Sequence, residues 1–100
     1  MMTDQELATA LATLPGERVT PEYMLSRISE IQYRRFGETL TLCHIVLDNG
    51  YSVRGESACV DPANYREDVG QKLAHDDAFR KLWPLFGFLL AEGRHRRGAN

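Results

Sequence analysis

The sequence predicts an α+β fold, in which N-terminal helices precede a two- or three-stranded antiparallel meander and C-terminal helices pack on the sheet. An apolar segment at residues 39–57, interrupted by Asn49-Gly50, is typical of a β-hairpin. Helix-start signals and apolar residues at helical spacing lie on both sides of it. One hundred residues fit a single domain, predicted to span residues 1–100.

Two helix-start signals open the chain. Thr3 and Glu6 have the spacing of a capping box, and leucines follow at helical spacing. Residues 1–18 are therefore predicted to form a first helix and its connection, and so short a helix must dock on something. Thr20-Pro21 predicts a second helix. Its expected buried face carries Tyr23, Met24, Ile28 and Ile31, and residues 33–36 are a candidate first strand.

The central hairpin is predicted to close through Asn49-Gly50 as a two-residue type I′ turn. That register pairs Val46 with Val53 and His44 with Gly55. One face of the sheet is then expected to meet the helices and hold the domain together, and it carries Leu40, Leu42, His44, Val46, Tyr51 and Val53. The other face is expected to point outward and carries Ile45, Leu47, Arg54 and Glu56.

Asp61-Pro62 predicts the start of the C-terminal helices. A break is expected at residues 75–77, and Pro84 is expected to kink or break the helix near Leu82. Gly70, inside a helix, indicates close approach of another backbone. Residues 93–100 are predicted to form a flexible basic tail.

Composition excludes several classes of protein. The formal net charge of −2 gives no general attraction to nucleic acid. Cys43 and Cys59 have no metal-ligand spacing and lie on opposite sheet faces in the predicted register, so no disulfide is expected. The N-terminus lacks a signal-peptide pattern, and the apolar cluster at residues 82–91 is too short to span a bilayer. These features predict a cytoplasmic protein with no membrane partner.

No catalytic motif is visible in the sequence. P-loop, GxSxG and HExxH patterns are absent, and no nucleophile has an obvious base. His44 is expected to be an ordinary strand residue, and the residues at 75–77 a solvated helix surface. The sequence therefore predicts a protein that is not an enzyme and that uses no cofactor and no metal.

Candidate binding residues lie mainly on the hairpin. Arg54 and Glu56 fit two interpretations: a solvated charge pattern that is worth little for stability, or a site in which Arg54 binds an anion at a subunit seam and Ser57 supplies a hydroxyl group. The full set of candidate ligand or partner residues is Arg54, Glu56, Ser57, Tyr51, Arg34 and Trp83. A homo-oligomer, most simply a two-fold dimer, is expected to use Ile45, Leu47, Phe86 and Leu89.

Three segments of the sequence resemble a known family. They are VTPE at residues 19–22, LCHIVLDNGYSVRGESACVDPANY at residues 42–65 and VGQKLAHDDAFRKLWPLFGFLLAE at residues 69–92. They are similar to the small phage and prophage protein family named for gene product forty-nine of a coliphage and gene sixty-six of a Shigella phage. The family pattern includes residues 55–58 and Asn64. Phe86 and Phe88 depart from it, because relatives often carry Glu and Tyr there.

The resemblance implies a phage accessory protein in the host cytoplasm and supplies no catalytic residues. The first functional hypothesis is a non-enzymatic, homo-oligomeric binding protein that sequesters a host factor or counteracts a defence system. Its target would be a host defence protein or an anionic nucleotide signal. The alternatives are a nucleic-acid-binding accessory protein that uses the basic tail, and a small enzyme of unknown chemistry.

Overall fold

The computed structural model describes residues 1–98 and confirms the α+β fold. The elements are α1 Asp4–Thr13, α2 Pro21–Ser26, β1 Ile28–Phe36, β2 Leu40–Leu47, β3 Ser52–Ala58, a 3₁₀ turn Pro62–Asn64, α3 Glu67–Arg80 and α4 Leu82–Arg96. The strands form one antiparallel sheet in the order β1-β2-β3, which selects three strands over two. In the described part of the chain, no helix has the length and apolar character needed to cross a membrane.

Both predicted N-terminal caps are present. The Glu6 amide donates to the Thr3 hydroxyl at 3.1 Å, and the Thr3 amide donates to the Glu6 carboxylate at 3.2 Å. Thr20 likewise accepts from the Tyr23 amide at 3.1 Å. α1 nevertheless buries no residue, so the surface on which this helix is expected to dock is not found within residues 1–98.

The second helix is shorter than predicted, and the first strand is longer. α2 ends at Ser26, so Ile28 and Ile31 belong to β1 and not to a helical face. Pairing with β2 makes this segment a strand, because Ile31 lies opposite Ile45 and Tyr33 lies opposite Cys43. Tertiary pairing here overrides a local pattern that is compatible with a helix.

The predicted two-residue turn at Asn49-Gly50 is wrong. In the structure Ile45 pairs with Val53, and the same register brings Leu47 opposite Tyr51, which leaves three loop residues at 48–50. Gly50 donates its amide to the Leu47 carbonyl at 2.9 Å and has φ of 89°, whereas Asn49 has no positive φ. A three-residue loop with glycine in the left-handed region satisfies these bonds.

Asp48 accounts for the extra loop residue. Its amide donates to the Arg27 carbonyl at 2.8 Å, and its carboxylate accepts from the Arg27 guanidinium at 2.8 Å. The same guanidinium lowers the pKa of Asp48. Because Asp48 is held by the segment before β1, the last β2 residue that bonds across the hairpin is Leu47, whose amide donates to the Tyr51 carbonyl at 2.8 Å.

The change in register exchanges the two faces of β2, since neighbouring side chains point to opposite sides. Ile45 and Leu47 are buried under the helices, so the expectation that they face outward is wrong. Leu40, Leu42 and Val46 lie on the opposite face and do not hold the core together, whereas Val53 does. The core consists of Met24, Cys43, Ile45, Leu47, Val53, Ala74, Ala78, Leu82 and Phe86.

A row of small residues brings α3 onto β2 and β3. A Cβ atom on Gly55 would lie 2.2 Å from the Ala78 nitrogen and 2.4 Å from the Ala74 carbonyl oxygen, so the helix backbone crosses this strand directly. One turn earlier, a Cβ on Gly70 would lie 2.5 Å from the Thr41 hydroxyl oxygen. The close approach at Gly70 is therefore to a side chain and not to a backbone.

The C-terminal helices differ from the prediction at three points. Asp61-Pro62 starts only the 3₁₀ turn, and α3 begins later, at Glu67. α3 continues through residues 75–77 without a break because Asp77 bonds to β3 from within the helix. The break comes at Lys81, which places Pro84 in the first turn of α4, as the proline predicts.

The basic segment at the C-terminus is helical as far as Arg96, which corrects the prediction of a tail from residue 93. Glu17 neutralises part of its charge, with oxygen–nitrogen distances of 2.8 Å to Arg94 and 3.0 Å to Arg97. The last two residues of the predicted tail, Ala99 and Asn100, lie outside the described residues.

The two outer edges of the sheet differ in whether other groups bond to their backbone. At the outer edge of β3, the Glu56 amide donates to the Asp77 carboxylate at 3.0 Å, and the Lys81 ammonium donates to the Arg54 carbonyl at 2.6 Å. At the outer edge of β1, no strand within residues 1–98 pairs with the backbone. The helix α3 thus closes one edge and leaves the other open.

The contact between Gly55 and α3 predicts a severe effect of one methyl group. Gly55→Ala should lower the free energy of unfolding by about 3 kcal/mol, because the new Cβ overlaps the helix backbone. Urea unfolding measures this. The control is Gly87→Ala, where nothing lies within 4 Å and about 0.5–1 kcal/mol should be gained. Equal stability of Gly55→Ala and the natural sequence would contradict the packing.

Asp77 predicts a pH-dependent contribution to stability. The bond from the Glu56 amide is the main cause that lowers the pKa of this carboxyl group. A lowered folded-state pKa stabilises the fold above the unfolded-state value of about 3.9, and the gain disappears as pH falls through the folded-state pKa. Asp77→Asn should therefore be less stable than the natural sequence at pH 7, with the difference shrinking as pH falls below about 3.9 and through the folded-state pKa. A difference that does not change with pH would contradict this role.

Candidate functional site

One face of the sheet carries no helix, and we call it the open face. Because α3 packs on the other side of β2 and β3, the side chains that alternate with the core residues point away from all helices. The Cα atoms occupy only 17 Å along the shortest axis of the molecule, consistent with one helical layer on one sheet. The open face consists of Glu30, Gln32, Arg34, Phe36, Leu40, Leu42, His44, Val46, Ser52, Arg54 and Glu56.

The middle of the open face is apolar. Leu42 and Val46 are only half-buried, although the core residues beside them in β2 are fully covered. A strand that is apolar on both sides is typical of a sheet covered on both faces. The sequence of β2 is therefore suited to a partner on the open face or to a ligand seated there.

A depression of about 600 Å³ lies across the open face. Gln32, His44 and Arg54 form one cross-strand row through it, and Arg34 lies beside Leu42 in the next row. Phe36 lines the end of the depression. Its volume is in the range of small-molecule sites, and its lining combines apolar side chains with amide, imidazole and guanidinium groups.

Two arginines on this face form no ion pair within the described chain. Arg54 donates to the Ser52 hydroxyl at 3.2 Å, and the Arg34 guanidinium lies 5.7 Å from the centroid of the Phe36 ring. Among the described residues, no carboxylate oxygen lies within 4.0 Å of either guanidinium. The two groups flank the depression from β1 and β3 and can offer planar, bidentate donors to an anion.

The structure brings together half of the predicted ligand residues. Arg34, Arg54 and Glu56 lie on the open face. Ser57 lies on the helix side of β3 with the buried Val53, and Tyr51, one residue before β3, alternates to the same side, so neither joins the open face. Trp83 lies at the start of α4, where it meets Phe79 edge-on at 6.3 Å, so it is remote from the depression.

The predicted oligomer surface does not exist as one patch. Ile45, Leu47 and Phe86 are buried inside the chain and cannot face a partner. Only Leu89 is exposed, and it lies on α4 beside Arg27 and Arg97. The error follows from the turn, since a two-residue loop places Ile45 and Leu47 on the wrong face of the sheet.

Gln32, Phe36 and His44 line the depression, and the sequence prediction missed them. The signal that could have found them is the tripeptide Asp48-Asn49-Gly50, which fits a three-residue hairpin loop ending in glycine. That loop pairs His44 with Arg54. Phe36 and Gln32 then follow from the pairing of β1 with β2.

The surroundings of Cys43 do not activate its thiol. Both cysteines are free thiols, and burial raises the pKa of the Cys43 thiol. A thiol with a raised pKa stays protonated at neutral pH and is a poor nucleophile. Burial also raises the pKa of the neighbouring Tyr33 hydroxyl. No group of three or more potential metal ligands occurs within residues 1–98.

Comparisons with known proteins point to one family. A model of the phage protein (N4 Gp49/phage Sf6 gene 66) family matches residues 19–93. The match covers most of the chain and includes every element that forms the open face. No curated protein and no solved structure matches the chain.

Proposed function

The chain belongs to the phage protein (N4 Gp49/phage Sf6 gene 66) family, and from that premise we propose that it is a non-enzymatic accessory protein that binds and sequesters an anionic host factor. The observation that carries the proposal is the pair of guanidinium groups, Arg34 and Arg54, that flank the depression and form no ion pair within the described chain. The protein acts in the host cytoplasm, where such binding counteracts a host factor or defence system.

The chemistry of the depression favours a nucleotide over a simple anion. Phe36 and His44 offer rings that can stack on a base, and Gln32 offers an amide that can hydrogen-bond to its edge. The guanidinium groups would meet the phosphates. An anionic nucleotide signal of the host is therefore the favoured ligand. An acidic surface of a host defence protein is the other target that the same charges suit.

The surface area supports a homo-oligomer as part of this function. The chain exposes 7320 Å², whereas a monomer of its mass typically exposes about 5,800 Å². Its radius of gyration is 17.0 Å, against about 13 Å for a compact chain of this length. The excess of about 1,500 Å² exceeds the roughly 800 Å² per partner that a standard interface buries.

Two other functional classes have weaker support. Nucleic-acid binding through the C-terminal basic residues conflicts with the ion pairs that join Arg94 and Arg97 to Glu17. Enzymatic nucleophilic catalysis would need an activated group, and the raised pKa of Cys43 argues against that thiol. We therefore propose binding as the function.

Arg54→Gln tests the binding site. A panel of mono-, di- and cyclic dinucleotides is screened by thermal shift, and hits are measured by calorimetric titration. Loss of a charge-assisted hydrogen bond should weaken binding about tenfold or more. Arg96→Gln is the matched control, because its side chain is 77% exposed and lies on α4.

Two results would remove the nucleotide version of this function. The first is a natural protein that no nucleotide in the panel stabilises. The second is an Arg54→Gln variant that binds the best nucleotide as tightly as the natural protein and the Arg96→Gln control do.

A further inference from the structure

The uncovered edge of β1 is suited to a second copy of the same strand. We infer that two chains pair antiparallel along the outer edges of β1, about a two-fold axis at Gln32, and so form one six-stranded sheet. The inference rests on the oligomeric part of the proposed function, and it shares Arg34 with the proposed anion site.

The contrast between the two sheet edges is the first support. The side chains of Asp77 and Lys81 occupy backbone groups at the outer edge of β3, which blocks pairing there. β1 is nine residues long, and its outer edge meets no strand within the described chain. Exposed strand edges readily pair with other strands unless they are covered. The fold covers one edge only.

The helix side of β1 is the second support. Ile31 and Tyr33 point to the same side as the core, opposite the buried Ile45 and Cys43. They remain 38% and 39% exposed because α3 packs mainly over β2 and β3 and covers β1 only in part. These two apolar side chains belong to the domain's inner face but lack a covering layer. A strand added beside β1 would supply apolar neighbours for both.

The sequence of β1 is complementary to itself about Gln32. In a two-fold antiparallel pair, one residue faces its own copy and residues equally distant from it face each other. Centring on Gln32 places Glu30 opposite the partner's Arg34, and Ile31 opposite the partner's Tyr33. The charges lie on the open face, and the apolar pair lies on the helix side. Each contact occurs twice.

Other registers lack this match. Centring on Tyr33 places Glu30 opposite Phe36 of the second copy. Centring on Ile31 places Glu30 opposite Gln32 of the second copy, which carries no charge. Centring on Arg34 brings two guanidinium groups face to face, which is destabilising. Gln32 already donates to the Glu30 carboxylate at 2.8 Å, which holds that acid on the open face toward the axis.

Edge pairing leaves the depression accessible. The two open faces would join on one side of the six-stranded sheet, with a depression in each half. A guanidinium has five N–H donors and a carboxylate accepts two in a bidentate pair, so Arg34 keeps donors for a ligand after pairing with the partner's Glu30. A dimer of this kind would present two anion sites on one surface.

Charge exchange tests the pairing in the full chain. Light scattering and analytical ultracentrifugation should find the natural protein as a dimer at micromolar concentration. Glu30→Arg and Arg34→Glu alone each place like charges opposite one another twice, and should weaken dimerisation about tenfold or more. Glu30→Arg combined with Arg34→Glu restores the attraction and should restore the dimer. Glu22→Arg, on α2, is the control that should leave it intact.

A cysteine variant tests the axis without relying on charge. Paired residues in antiparallel strands have Cα atoms about 4.5–5.5 Å apart, within reach of a disulfide. Gln32→Cys in a Cys59→Ser background should therefore form a covalent dimer under mild oxidation. Ser52→Cys, on β3 of the same open face, should not.

Three results would overturn the inference. A natural protein that is monomeric at micromolar concentration would remove both this pairing and the oligomeric proposal. If Glu56→Arg restores the dimer of the Arg34→Glu variant and Glu30→Arg does not, the two open faces stack on one another and β1 is not the interface. Absence of the Gln32→Cys dimer while the protein is dimeric would show a different interface. Failure of the nucleotide panel with a confirmed dimer would remove the anion site alone.

Discussion

The contact between Gly55 and the backbone of α3 determines the arrangement of the molecule. No side chain separates the helix from the strand at this point, since a Cβ would lie within 2.4 Å of two helix backbone atoms. Ala74 and Ala78 are fully buried there, and Gly70 makes room for Thr41 one turn earlier. The helix is thereby fixed over β2 and β3 and covers β1 only in part.

This placement produces the features from which we infer function. The last turn of α3 closes the β3 edge through Asp77, while β1 keeps a free edge and exposes Ile31 and Tyr33. The same single layer of helices leaves the open face bare, with Arg34 and Arg54 flanking its depression. Assembly and ligand binding would thus use surfaces that the close helix packing leaves uncovered.

Local sequence signals predicted the types and order of the elements, but they did not predict which face of β2 is buried. The capping box of α1, the proline that begins α2 and the helix break ahead of Pro84 could be predicted, because each depends on neighbouring residues. The register could not be fixed from Asn49-Gly50, because a long-range bond from Arg27 to Asp48 draws a third residue into the loop. That one residue moved Ile45 and Leu47 into the core and brought His44 into the row of Arg54. Arg34 and Arg54 were predicted as ligand residues from their chemistry. That they line one depression could not be predicted, because they lie on different strands that only the folded sheet brings together.

Amide hydrogen exchange across a dilution series would test directly whether the surface left bare by α3 is covered by a second copy. We expect protection of the β1 amides, residues 28–36, to rise with protein concentration. Protection in β3, residues 52–58, should stay constant because α3 already closes that edge. Protection of β1 that does not change with concentration, or a concentration-dependent gain confined to β3, would contradict this assembly.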